Sequence, residues 1–222
     1  MKTAGSQVEK MDRMYRVQRH FYDLTRKYYL FGRDRLLTRM DVMPGQRVLE
    51  LGCGTARNLI KLARIHPDAR LYGLDASEPM LQTARAKIER RGFSQRIELK
   101  HELAEQMTPQ KTFGLSQSFD VAFFSYTLSM IPTWREALQS AYAGLKPGGK
   151  LHIVDFWDQK DLPGPFRAAL QQWLALFDVH HRPELPDYLQ ELATLEKARL
   201  NIESWGRRYA ILAYLEKPGL PR

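Results

Sequence analysis

The run Val48-Leu49-Glu50-Leu51-Gly52-Cys53-Gly54-Thr55 constrains this chain more than any other stretch. Val48 to Leu51 reads as a short buried strand, Gly52-Cys53-Gly54 as a tight turn, and the residues after Thr55 as a helix start. That layout lets backbone N–H groups approach a small charged ligand closely. Glu50 aims a carboxylate at the turn, which suits a cationic ligand better than a pyrophosphate. A second apolar stretch, Leu71-Tyr72-Gly73-Leu74, ends in Asp75, twenty-five residues after Glu50. An acidic residue at the tip of a second strand accepts the two hydroxyls of a ribose. The pair predicts a nucleoside ligand held by a doubly wound α/β sheet.

The chain beyond this stretch alternates in the same way. A helix is predicted over Ala56–Ile65, ended by His66-Pro67-Asp68, and another after Ser77, with Ser77 as N-cap and Gly92 as terminator. Ile97-Glu98-Leu99 reads as a third strand, Phe119–Phe124 as a fourth, apolar enough to be central, and Leu151–Val154 as a fifth that ends at Asp155. Trp134–Leu145 reads as the helix between the last two. Strands alternating with helices give a parallel sheet. After Asp155 come a helix with Phe166, Leu170, Trp173, Leu174 and Phe177, a helix over Pro186–Lys197, and two closing strands, Arg199–Trp205 and Tyr209–Glu216. A dinucleotide cofactor is disfavoured. The third glycine of its fingerprint is replaced by Arg57, and only about 67 residues follow Asp155, too few for a substrate domain.

At 222 residues the chain has enough length for one full core. It holds no apolar run of membrane-span length, its N-terminus is charged, and its one cysteine, Cys53, has no internal partner, so a cytoplasmic location is expected. No His lies near Cys53 in sequence, which reads as a small turn residue rather than a nucleophile. The net charge is +9, and residues 1–40 supply +6 of it, from ten Lys/Arg and four acids. Within that arm Met14, Val17, Phe21, Leu24 and Tyr28 share one helix stripe, with Tyr15, Tyr22 and Tyr29 beside it. A basic amphipathic helix with an aromatic edge fits a structural helix, a lid over the site, or an anionic membrane surface. Stacking on nucleic acid is a rival use, but the stripe is too regular and apolar for a surface that stays in water, so no nucleic-acid partner is expected. His180-His181 lacks further ligands in sequence, and no metal is expected.

Together, VLELGCGT at Val48–Thr55, Asp75-Ala76-Ser77, the Phe119–Ser125 strand and LKPGG at Leu145–Gly149 resemble the motifs of the seven-stranded S-adenosylmethionine-dependent methyltransferases. The resemblance covers roughly residues 45–155. It implies a Rossmann-like, mostly parallel seven-stranded sheet with a C-terminal antiparallel hairpin, in a methyltransferase domain over residues 41–222 preceded by an N-terminal arm or lid over residues 1–40. It implies S-adenosyl-L-methionine as cofactor, with Gly52, Cys53 and Gly54 at the methionine part and Glu50 shaping the turn. Asp75 would take the ribose, Ala76 and Met80 would flank the adenine, Leu103 and Ala104 would meet its edge, and Ser125 would lie near the methionine. Family members often carry an aspartate near position 103; here Leu103 leaves only backbone for that contact.

The flanks are more specific. Phe21–Leu37 (FYDLTRKYYLFGRDRLL), Phe124–Pro132 (FSYTLSMIP) and Asp155-Phe156 are similar to the diacylglycerylhomoserine N-methyltransferases, which complete the betaine lipid diacylglyceryl-trimethylhomoserine. Phosphatidylethanolamine N-methyltransferases look similar but less close; a small-molecule methyltransferase and a nucleic-acid-binding methyltransferase-like module are further alternatives. The lipid resemblance implies an enzyme at the inner face of the membrane. Transfer to a neutral amine demands alignment and exclusion of water. An α-amino group titrates at about 8, so a tyrosine, His180 or Asp155 suffices to pass its proton on. A quaternary product suits aromatic faces, for which Tyr22, Tyr29 and Tyr126 are candidates. A head-group carboxylate suits an arginine fork, for which Arg182 and Arg33 are candidates.

Overall fold

The computed structural model describes residues 30–176 and 179–220. Its centre is a seven-stranded sheet in the order β3-β2-β1-β4-β5-β7-β6. β1 (Arg47–Leu51), β2 (Arg70–Asp75), β3 (Ile97–His101), β4 (Phe119–Ser125) and β5 (Leu145–Phe156) run parallel. β7 (Ala210–Glu216) adds antiparallel to β5, and β6 (Arg199–Trp205) antiparallel to β7. All seven residues of β4 are buried, as expected of a central strand covered on both faces. The order reverses between β1 and β4, and the crevice beyond their carboxyl ends is where open α/β sheets take ligands.

Helices cover both faces. α1 (Arg33–Arg39), α2 (Arg57–Ile65) and α3 (Glu78–Arg90) pack one face through Leu37, Leu59, Leu62, Leu81 and Ile88. α6 (Gly164–Ala175) joins that layer through Leu174. The short α4 (Pro109–Phe113), α5 (Trp134–Ala143) and α7 (Leu185–Glu196) pack the other through Phe113, Leu138 and Leu189. Side chains alternate along β1, so Leu49 and Leu51 enter the second layer while Val48 and Glu50 face the first. This alternation aims Glu50 at α2. Residues 30–40 belong to the same core, with Leu30, Leu36, Leu37 and Met40 all buried.

Some local expectations shift. β5 starts at Leu145, six residues early, because Leu145 pairs with Phe119 and a register irregularity before Val121 absorbs the Pro147-Gly148-Gly149 run. α2 starts at Arg57, since Ala56 takes a left-handed conformation (φ 58°) as its N-cap. Ser77 holds the N-cap position of α3 but its hydroxyl caps nothing; its N–H instead donates to Asp75 Oδ1 at 2.9 Å. A 3-10 turn (Ala104–Gln106) and α4 escape the sequence reading. The signal for α4 was there, in Thr108, whose Oγ1 accepts from Lys111 N at 3.1 Å, then Pro109 and Gly114, but five residues give no periodicity to read.

Candidate functional site

The glycine turn is fixed from below. Gly52 N–H and Cys53 N–H both donate to Leu74 O, at 2.8 and 2.9 Å, tying the turn to the end of β2. Gly52 has φ +72°, and a Cβ there would lie 2.1 Å from Thr127 Cγ2, so only glycine lets the loop after β4 come this close. At Gly54 a Cβ would meet nothing within 4 Å; the backbone there faces open space. Cys53 is buried, and burial, reinforced by Asp75 and Glu50, pushes its thiol well above its usual range. It packs beneath the turn, and any contribution from it to a ligand falls to its backbone.

Glu50 is 1% exposed, and its Oε1 accepts from Asn58 Nδ2 of α2 at 2.7 Å. Its Oε2 has no hydrogen-bond partner. Burial pushes the carboxyl up to about 8, against the pull of Asn58 and the Arg33 charge. Asp75, at the tip of β2, accepts Gly54 N–H on Oδ2 at 2.7 Å and Ser77 N–H on Oδ1 at 2.9 Å. Both oxygens thereby stiffen the turn, at the strand tip where the sequence expectation puts a ribose. Ala76 is half-buried, its carbonyl 2.9 Å from His101 Nε2. Met80 and Ala104 are buried and Leu103 half-buried on the β2–β3 side. Ser125 ends β4 with a buried hydroxyl that bonds to nothing. An unpartnered buried acceptor, an unpartnered hydroxyl and open space over Gly54 fit a small polar ligand with a cationic end. Native interiors rarely leave such groups unsatisfied without a role.

The acceptor side is arranged differently from the sequence expectation. Tyr22 and Tyr29 lie outside the described residues. Tyr126 is 2% exposed in a left-handed conformation (φ 57°), its ring edge-on to Phe156 at 4.7 Å and its hydroxyl donating to Phe31 O. Burial raises its pKa well above the usual range. It tethers the segment before α1 and offers no open aromatic face. Arg182 donates from Nη2 to Ile131 O at 3.0 Å, so part of its fork already holds the loop after β4. His180 is exposed, and its backbone N–H donates to Ser129 O at 2.8 Å. Asp155 is 1% exposed; Oδ1 accepts from Phe156 N at 2.7 Å and Oδ2 from Ser129 N at 3.1 Å. Its burial raises its pKa, and it serves as a brace for the 127–130 turn. Arg33 is buried at the start of α1, within electrostatic reach of both Glu50 and Tyr126. Asn58 was missed by sequence reading; its only signal was a polar residue on the inner face of a predicted helix.

A sheet of this order, with an acid at the end of β2 and a glycine turn after β1, defines a doubly wound nucleoside-binding class. The family model described as Methyltransferase domain matches residues 43–213. The chain belongs to that family. Membership implies S-adenosylmethionine as the cofactor of this domain. A demethylmenaquinone methyltransferase of Listeria welshimeri is 30% identical over 161 residues, which are 72% of this chain and 62% of that enzyme. The chain thus spans less than two thirds of that relative. Among solved structures, the S-adenosylmethionine-dependent methyltransferase SibL superposes with a TM-score of 0.66 at 23% identity, covering 89% of this chain and 58% of its own. The methyltransferase in the Haloferax volcanii complex with the Trm112 activator gives 0.71 at 16%, covering 95% and 99%. At these identities they establish the fold.

Proposed function

We propose that this methyltransferase N-methylates the amine of a lipid head group, with diacylglycerylhomoserine as acceptor and diacylglyceryl-trimethylhomoserine as product. The observation that supports it is the exposure of large apolar side chains on the segment tied to the end of β4 and on α6, the helix after β5. Phe31 is 53% exposed beside the Tyr126 tether, and Phe166 and Leu176 are 58% and 75% exposed along and just after α6. α6 is followed by a segment fastened to the loop after β4 through His180 N–H and Ser129 O. Exposed apolar side chains on the segments just before α1 and along α6 suit an acyl chain or a membrane surface. The basic arm and the likeness of residues 21–37 and 124–132 to the diacylglycerylhomoserine enzymes point the same way. No helix among the described residues is long and apolar enough to cross a membrane, so contact with lipid would be peripheral.

When bound, S-adenosylmethionine supplies an electrophilic methyl on a sulfonium. Glu50 and the Gly52–Gly54 backbone would hold its amino-acid end, Asp75 its ribose, and Ala76, Met80, Leu103 and Ala104 its base. Asp155 and Tyr126 are committed to backbone groups, so neither is poised as a strong base. An amine that titrates near 8 needs none, and the exposed His180 suffices to relay its proton to water. A second reading, favoured by the Listeria relative, is methylation of a demethylmenaquinone-like acceptor. Labelled S-adenosylmethionine with lipid extracts decides between them. Label in a head-group amine supports the first reading and label in a quinone replaces it with the second. Label confined to protein, RNA or water-soluble products removes both.

A further inference from the structure

β6 ends the sheet on one side, and its outer edge is open. Among the described residues, the backbone of Arg199–Trp205 bonds only to β7. Such an edge presents a row of N–H and C=O groups ready to pair with another strand. The features that usually blunt an edge are missing from this one. The strand is seven residues long, holds no proline, glycine or lysine, and pairs with β7 without a register shift. The opposite edge, β3, is five residues long and carries Glu98 and Lys100, paired with each other at 3.0 Å.

The two faces of β6 are already covered. Leu200 and Ile202 pack into the layer of α7. Glu203 and Trp205 meet α1, with Arg39 Nη1 2.6 Å from Glu203 Oε2 and the Arg35 guanidinium 4.5 Å from the Trp205 ring centre. Arg35 and Arg39 both address Oε2 of Glu203, and no ion pair among the described residues reaches Oε1. At the other end of the strand, Lys150 of β5 stands opposite Glu216 of β7, and Glu216 opposite Arg199. This row alternates in sign and stops on an exposed arginine at the open edge. Arg199 and Glu203 lie on one face, two residues to either side of Asn201. A strand with opposite charges placed so is complementary to itself when antiparallel. Arg199 falls opposite the partner's Glu203, Leu200 opposite the partner's Ile202, and Asn201 opposite its own copy. Parallel pairing in register would instead set arginine beside arginine. Leu195, in the last turn of the helix that leads into β6, is 77% exposed and adds apolar surface at the entry to the strand.

We propose that β6 pairs antiparallel with β6 of a second copy of this chain, about a two-fold axis that passes through Asn201 normal to the sheet. The two sheets become one, and Arg199 of each copy answers Oε1 of the partner's Glu203. The contact uses the same strand on both sides, so it closes at two copies, and each charge pair occurs twice. It rests on neither the cofactor nor the acceptor.

Sedimentation equilibrium of the full chain, 25.9 kDa as a monomer, should show reversible association to about twice that mass. Arg199→Glu sets like charges opposite each other at two places and should weaken association about tenfold. Engineered thiols read the register. Asn201→Cys brings two thiols opposite each other at a Cα separation of about 4.5–5.5 Å, within the span of a disulfide. Ser204→Cys leaves its two thiols about 20 Å apart. The native Cys53 is buried and does not compete. Under mild oxidation Asn201→Cys should form a covalent dimer on a non-reducing gel while Ser204→Cys stays monomeric. Equal cross-linking of the two variants, or none in either, overturns the pairing. So does a wild type that remains monomeric at every concentration up to its solubility limit, or a dimer that Arg199→Glu leaves as tight as before.

Discussion

Glu50 gives the sharpest physical test of the site, because its burial makes folding stability depend on pH with a defined sign. In the unfolded chain the carboxyl titrates at its ordinary value of 4.5, and in the fold burial raises it to about 8. Between these values the folded state holds a proton that the unfolded state has released. Stability is therefore fully present below about pH 4.5, falls as pH rises, and levels off above about 8. At about 1.4 kcal/mol per pH unit, the fully ionised group carries a penalty of about 5 kcal/mol. That figure is an upper bound, since local opening toward water relieves part of it. Glu50→Gln keeps the shape and the Asn58 contact while removing the ionisation. Urea denaturation of wild type and variant at pH 5, 7 and 9, without ligand, measures the difference. The variant should match wild type at pH 5 and exceed it by several kcal/mol at pH 9. A difference that is flat with pH, or a wild type that gains stability relative to the variant between pH 5 and 8, would refute the burial argument. S-adenosylhomocysteine should reverse the preference, since its ammonium favours the charged carboxyl, and binding near pH 7 should release a proton, readable by calorimetry in buffers of different ionisation enthalpy.

Other predictions probe the elements around it. Gly52→Ala should destabilise the fold by about 2–4 kcal/mol, from its positive φ and the overlap with Thr127. Adding Thr127→Ser, which removes the overlapping Cγ2, should recover about half, as measured by urea midpoint; no recovery would mean that the backbone alone sets the loss. Tyr126→Phe deletes one hydrogen bond to the Phe31 carbonyl, worth about 1 kcal/mol, and should speed amide exchange in residues 31–37 by about fivefold with little change elsewhere. Deleting residues 1–20 should reduce binding to anionic vesicles while leaving 5′-methylthioadenosine binding unchanged; undiminished vesicle binding would remove the arm's membrane role.

The strand cores were legible because burial on both faces writes itself into sequence. Phe119–Phe124 and Val48–Leu51 have no polar interruption except Asp120 and Glu50, and all but Arg47 of the two strands is buried. The start of β5 was not legible, because Lys146-Pro147-Gly148-Gly149 has the composition of a turn and lies within the strand only because Leu145 before it and Lys150 after it both pair with β4. Ser77 shows a similar limit. A serine before a helix is a sound cap signal, but Asp75 two residues earlier had already accepted its N–H, and the turn that Asp75 closes decided the geometry.

The cofactor-side and acceptor-side candidates rest on different kinds of sequence signal. Gly52, Gly54 and Asp75 act through backbone conformation and through an acid at a strand tip, and both follow from position along the chain. Tyr126, Arg182 and Asp155 were chosen by residue type, and residue type does not say which way a side chain turns. Tyr126 follows β4 in a left-handed conformation, and its ring meets Phe156 edge-on. Arg182 spends hydrogen bonds on Ile131 and Asp155 on Ser129, so both brace the loop after β4. That loop in turn sets Thr127 against Gly52. The acceptor-side residues thus shape the glycine turn from behind. Their substitution should alter cofactor affinity before it alters acceptor choice, the opposite order from that expected of residues selected for a lipid head group.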